Sequence, residues 1–337
     1  MNRTLVVAVA ATALCAGLTL LGVMVGSAGL SAGEVLQTLF VGGDPGRHLV
    51  VFELRLPRVV AALLVGMSLG LAGALTQAFA RNPLATPDIL GVTSGAAAGA
   101  VAAIVLGGGT YAVGSGLLGI GLPLVAVLGG LLAAALVYGL SWRGGVDGYR
   151  LVLVGIGVTA SLTGLTGYLL VSADLTQAAA ATQWLVGSLS GISWTSVWPV
   201  LTALVLVVPL ALSQVRALEI TQLGDDVAAG LGVAVQRHRM LVILCAVVLA
   251  AVAVSASGPL EFVAFVAPQV ARRLCGTARP PLLASGLLGG ALVLGADLVG
   301  RSLLPGSVPV GVLTALVGAT SLIWLLTRRP DPARSPA

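Results

Sequence analysis

Lysine is absent from this chain, and all seventeen basic residues are arginine. A phosphate-binding loop of the G-x-x-x-x-G-K-[ST] type needs lysine on the terminal phosphates, and a Schiff base needs its amine. ATP binding of that kind and lysine-based covalent catalysis are therefore excluded. Charge of either sign is scarce, at 9% of residues, against roughly 25% in a soluble domain. Aromatic residues amount to only 4%. The two histidines, His48 and His238, lie far apart and no H-E-x-x-H occurs, so no metal centre and no cofactor are expected. Cys15, Cys245 and Cys275 share no close spacing, and the first two fall inside apolar stretches, where cysteine reads as a small buried hydrophobe.

What fills the chain instead is apolar: 58% of 337 residues, with 46 glycines and a mean hydropathy of +1.07. Such a chain lacks the polar surface to dissolve, and its glycines suit helices closely packed in lipid. It reads as an integral membrane protein. The net charge of +5 comes from arginines lying between apolar runs. That pattern is a topology signal rather than a nucleic-acid stripe, and no nucleic-acid partner is expected.

A helix needs roughly 20 apolar residues to cross a bilayer. Charge-free intervals run 4–33, 59–80, 89–142, 151–173, 175–215, 240–260, 280–296 and 302–327. The interval 89–142 holds two spans broken near Gly107-Gly108-Gly109. The interval 175–215 holds one span near 194–213, preceded by a short surface helix over Thr176–Gly187. A tenth, shorter span fits 260–274, where Pro259 and Pro268 bracket an apolar stretch. The run after Arg3 is too long for a signal peptide and reads as the first span. With an inside N-terminus, thirteen arginines fall inside and four outside (Arg47, Arg55, Arg58 and Arg301), as the positive-inside rule demands. The expectation is an all-α polytopic membrane protein of about ten transmembrane helices with both termini cytoplasmic. Residues 1–327 would form a single transmembrane domain, and 328–337 a disordered cytoplasmic tail. Gly66–Gly70 and Gly91–Gly95–Gly99 have the small-xxx-small spacing of close helix contacts, with a flexible hinge as the alternative.

Four segments break the span pattern. In Arg55-Leu56-Pro57-Arg58, two outer arginines flank a proline able to begin a helix. They read either as interfacial snorkelling or as a docking point for an acidic partner, which Arg301 would join. In Arg81–Asp88, Pro83 and Pro87 impose a stiff extended link, with Asn82 able to cap backbone groups, while composition alone makes the segment simply a turn. The inner loop 214–239 contains Asp225 and Asp226 in a first helical turn, which Gly230 and Gly232 end. Ala228 and Ala229 would leave a smooth face for a partner's groove. The fourth segment, Gly258–Gly276, is a short broken span. Its prolines would match the Pro83/Pro87 break from the opposite side, the trace of inverted-repeat halves.

In this order, RLPR (55–58), GxxLGLAGALTQ (66–77), RNPLATPDILGVTSGA (81–96), WLVGSLSG (184–191), LGDDVAAGLGV (223–233), ADLVGR (296–301) and VPVGVLTALVGATSLIWLL (308–326) resemble the FecCD family of ABC-transporter permeases. That family imports iron–siderophores, haem and vitamin B12. The resemblance implies a permease without enzymatic activity of its own, in the cytoplasmic membrane. Its partners would be a second permease (a heterodimer first, a homodimer otherwise), two cytoplasmic ATPases and an extracytoplasmic binding protein. It also implies that Arg55, Arg58 and Arg301 dock the binding protein. Gly224, Asp225, Asp226, Ala228, Ala229, Gly230 and Gly232 would form the coupling helix seated in the ATPase. Asn82, Pro83 and Leu84 would lie at the cytoplasmic gate. Ferric siderophore is the first substrate expectation, helped by the PDILG form, with haem or cobalamin as alternatives. The chain has Pro268-Gln269 where the family commonly has Pro-His, which leaves the 268–281 turn without an assigned role. A proton-coupled secondary transporter is the rival from another class. It would place an ionisable group mid-membrane, whereas Asp174, Glu261 and Asp297 fall near span ends.

Overall fold

The structure, a computed structural model, describes residues 3–26, 30–107, 121–143, 145, 148–304 and 306–327. Fifteen α-helices account for most of these, with no β-strand among the described residues. They are α1 (Arg3–Met24), α2 (Ala32–Phe40), α3 (Pro45–His48), α4 (Leu56–Ala80), α5 (Val92–Leu106), α6 (Gly121–Ser141), α7 (Gly148–Val171), α8 (Leu175–Leu185), α9 (Trp194–Ser213), α10 (Val215–Thr221), α11 (Asp225–Gly230), α12 (Val235–Ser257), α13 (Val263–Cys275), α14 (Leu282–Ser302) and α15 (Val310–Thr327). Seven helical runs are long and apolar enough to cross a membrane, namely α1, Pro45–Ala80, α6, α7, α9, α12 and α14. The shorter apolar helices α5 and α15 accompany them. The tail 328–337 and most of the glycine break at 107–109 lie outside the described residues.

Helix α4 sits at the centre, packed on α14, α12, α13 and α9. The predicted glycine spacing produces close backbone contacts with α14. A Cβ at Gly66 would lie 2.3 Å from the Gly289 carbonyl oxygen of α14, and one at Gly70 equally close to that of Ser285. Gly95 on α5 meets Gly129 on α6 in the same way, at 2.4 Å. Only hydrogen at these positions lets the backbones touch, so the glycines serve packing rather than hinging.

Both proline-bearing breaks depart from ordinary span ends. Pro57 has no N–H and its ring crowds the carbonyl four residues back. The turn before it, Leu49–Arg55, widens into a π-helix, and helix runs continuously from Pro45 to Ala80. The 81–88 segment is the folded turn its composition suggested, not the stiff extended link read from its prolines. The Asn82 side chain accepts the Leu84 N–H (2.9 Å), its carbonyl accepts that of Ala85 (3.1 Å), and Pro87–Leu90 forms one 3₁₀ turn. Local side-chain and backbone bonds satisfied here outweigh the prolines' bias to extension.

Helix α13 has 13 residues, about 20 Å and too short to cross alone. The non-helical Gly258-Pro259-Leu260 before it is buried. Irregular backbone at membrane depth survives only when protein covers it, and here Ser188 N–H donates to the Ser257 carbonyl (2.8 Å). Pro268 leaves the Ala264 carbonyl without its helical donor, and that oxygen packs against Gly73 of α4.

Candidate functional site

Two charged clusters occupy the two ends of α4. The first begins at the C-terminus of α1, whose last carbonyls have no intrahelical donors. Arg55 is buried and donates from Nη1 to the carbonyls of Val23 (2.9 Å) and Met24 (3.0 Å). Arg301, from the last turn of α14, donates to those of Val25 (2.7 Å) and Gly22. Between them lies Asp297, 1% exposed. Its Oδ1 takes Arg58 Nε at 2.9 Å and Nη2 at 2.8 Å, and its Oδ2 forms an ion pair with Arg301 Nε at 3.1 Å without a hydrogen bond. The three predicted docking arginines are thus brought together, but they are not equivalent. Arg55 and Arg301 face inward and close the end of α1, while Arg58 has the most exposed side chain of the three. Asp297 pairs with two of the three arginines, and Arg55 is held by carbonyls alone, so three guanidiniums and one carboxylate leave a net charge of +2.

The second cluster lies at the other end of α4. Helix α11 forms where predicted, with Asp225 and Asp226 in its first turn, Gly224 as its N-cap and Gly230 as its last residue. Gly232 follows in a left-handed conformation, φ 85°. Asp225 Oδ1 receives Arg81 Nη2 (2.7 Å), and Oδ2 receives Arg239 Nη2 of α12 (2.6 Å). Arg81 also donates to the Thr221 carbonyl, and Gln222 Nε2 to that of Ala78 (3.1 Å).

One expectation is corrected here. Ala228 is fully buried, so the smooth face of Ala228 and Ala229 is not what α11 presents. Ala229 is exposed, but Ala228 is the residue by which α11 rests on its own bundle. The exposed apolar residues here are Val227 within α11 (48%), Leu231 at its C-cap (62%) and Leu223 just before its N-cap (67%). Sequence reading passed over these three in favour of the alanines.

The turn 82–85 joins the second cluster to the interior. Asn82, Pro83 and Leu84 are exposed. Leu84 lines a cavity of about 490 Å³ between α4, α5, α12, α13 and α15, together with Leu69, Val254, Phe262 and Phe265. Thr86, Asp88, Thr93, Ser94 and Glu261 are its polar residues, and no arginine lines it among the described residues. Asn82 lines a different cavity, of about 210 Å³, beside Thr76, Tyr149 and Val242. Behind Pro83 stands a buried amide pair that sequence reading left unassigned. Gln269 Nε2 donates to the Pro83 carbonyl (2.6 Å) and to Gln77 Oε1 (2.7 Å). Gln77 in turn donates to the Phe265 carbonyl (3.3 Å). No cluster of three or more His, Cys, Asp or Glu side chains suited to a metal occurs among the described residues.

Comparison with known proteins fits this arrangement. The chain is 40% identical over 326 residues to the ferric enterobactin transport system permease protein FepG of Escherichia coli (strain K12), covering 96% of both chains. It is 41% identical over 319 residues to the achromobactin transport system permease protein CbrC of Dickeya dadantii (strain 3937), covering 93% of this chain and 90% of that one. A solved inward-facing ABC transporter described as of metal-chelate type superposes with a TM-score of 0.82 at 30% identity, over 95% of this chain and 98% of that one. The FecCD transport family itself matches residues 14–328, and the chain belongs to that family.

Proposed function

We propose that this chain is the permease subunit of an ATP-driven importer that carries ferric siderophore across the cytoplasmic membrane. Two relatives named for siderophore transport, each at least 40% identical over nine-tenths of the chain, support the substrate class. The chain is a multi-pass membrane protein, and ATP hydrolysis belongs to a separate subunit, in keeping with the missing lysine.

One observation carries the coupling role: Val227 on α11, with Leu223 and Leu231 flanking it, stands out in solvent beside a cluster of charges. Exposed apolar side chains gathered on a loop helix need a partner, and an ATPase groove supplies one. In this reading ten spans leave both termini and loop 214–239 in the cytoplasm. The tail 328–337 follows as a disordered segment, and the halves repeat in inverted orientation. Matching breaks support the repeat, since α4 and α12 each lead through a broken segment into a short helix of 15 or 13 residues. A second permease (a heterodimer rather than a homodimer) would face the 490 Å³ cavity. The outer cluster, led by Arg58, would receive an acidic binding protein, and Asn82, Pro83 and Leu84 would form the gate.

The test is affinity purification of the tagged chain in mild detergent, followed by mass spectrometry. An ATPase and a second permease should accompany the wild type, and Val227→Arg with Leu231→Arg should release the ATPase alone. Cells should accumulate ferric enterobactin or ferrichrome in dependence on the chain, rather than haemin or cyanocobalamin. Uptake abolished by an uncoupler while ATP is maintained would favour a proton-coupled carrier instead.

A further inference from the structure

Arg81 stands between the proposed coupling helix and the proposed gate. We propose that it is the positioning residue that carries motion from one to the other, through a strut made of Arg81, Asp225 and Arg239. The inference rests on those two roles and adds the connection between them.

Arg81 closes α4 in a left-handed conformation, φ 49°, which an L-residue with a long side chain rarely adopts. Its side chain is anchored on the other side of the junction. Nη2 meets the Thr221 carbonyl at the end of α10 and Asp225 Oδ1 at the start of α11 (2.7 Å). Because Asp225 Oδ2 holds Arg239 (2.6 Å), one carboxylate joins α4, α11 and α12. On the backbone side, Asn82 follows Arg81 directly, and the 82–85 turn is closed by its own two hydrogen bonds. Such a turn moves as a unit. Its far side is held by the single bond from Gln269 to the Pro83 carbonyl, 2.6 Å long. A pull on α11 therefore reaches the turn through Arg81 and loads the Pro83–Gln269 bond. Arg81 and Asp225 side chains are 39% and 42% exposed. An exposed pair adds little to stability, so its loss leaves the fold standing and exposes the transmission.

Leu84 is 46% exposed and the three native cysteines are buried, so Leu84→Cys introduces one accessible thiol. The transporter is purified with the ATPase it brings down and labelled with a fluorescent maleimide. In this background ATP with vanadate should change the labelling rate about fivefold or more. Arg81→Met or Asp225→Asn should reduce the change to less than about twofold, with the double variant matching either single and the ATPase still bound. Arg81→Lys should restore it, because one nitrogen makes both contacts and an ammonium supplies one such point. A full nucleotide response in Arg81→Met with the ATPase bound would overturn the strut, as would a double variant whose effect is the sum of the singles. No response at position 84 with Arg81 intact would overturn the gate reading, and no ATPase bound would overturn the coupling reading. Either of those results removes the strut with it.

Discussion

A guanidinium taken out of water needs a carboxylate or a set of carbonyls, and Asp297 serves Arg58 and Arg301 at once. Removing it leaves buried cations without their counter-charge, whereas removing Arg58 takes away the most exposed of them. Breaking a buried pair from one side costs about 3–5 kcal/mol. Asp297→Ala should therefore lower thermal stability in detergent sharply, while Arg58→Gln should shift it little. An equal loss in both variants would mean that the cluster is no counter-charge system. The same contrast separates docking from folding. Charge reversal at Arg55 would disturb the end of α1, so Arg58 is the residue at which to test an acidic partner. Arg58→Gln should slow association with the binding protein about tenfold at low salt, and a rate independent of salt would sink electrostatic docking there.

At the scale of elements, charge-free intervals located the spans well. The interval 59–80 became α4, 151–173 became α7, and the span read at 194–213 is α9 to the residue. The intervals work because a bilayer sets the length of an apolar run and charges mark its ends. Which way a residue faces was not legible. Where lipid and core are both apolar, a helix has no polar side to reveal its rotation. Ala228 was read as outward and is buried, and Arg55 was placed at the surface and caps α1. The Gln77–Gln269 pair lay 192 positions apart in sequence, beyond any local pattern. Small-residue spacing was legible, because a glycine needed every fourth position leaves a periodic mark. Gly66→Ala would drive its Cβ to 2.3 Å from a backbone oxygen. It should cost about 1–3 kcal/mol, read as a lower melting temperature. Gly139→Ala meets nothing within 4 Å and should be neutral or stabilising by about 0.5–1 kcal/mol. Equal melting temperatures would contradict the close α4–α14 contact.

For the molecule as a whole, the two clusters are linked by the element between them. Helix α4 carries Arg58 in its first turn and is capped by Arg81; its 25 residues span about 37 Å. Its glycines lock it to α14, which supplies Asp297 and Arg301 to the outer cluster. In the proposed topology the pair is a stiff lever with one arm on each side of the membrane. Whatever grips the outer arm and whatever grips the inner arm exchange work through the same body. Free-energy linkage then makes the exchange symmetrical. In the proposed assembly, nucleotide bound inside must then alter the hold on a binding protein outside by the factor with which that protein alters nucleotide affinity.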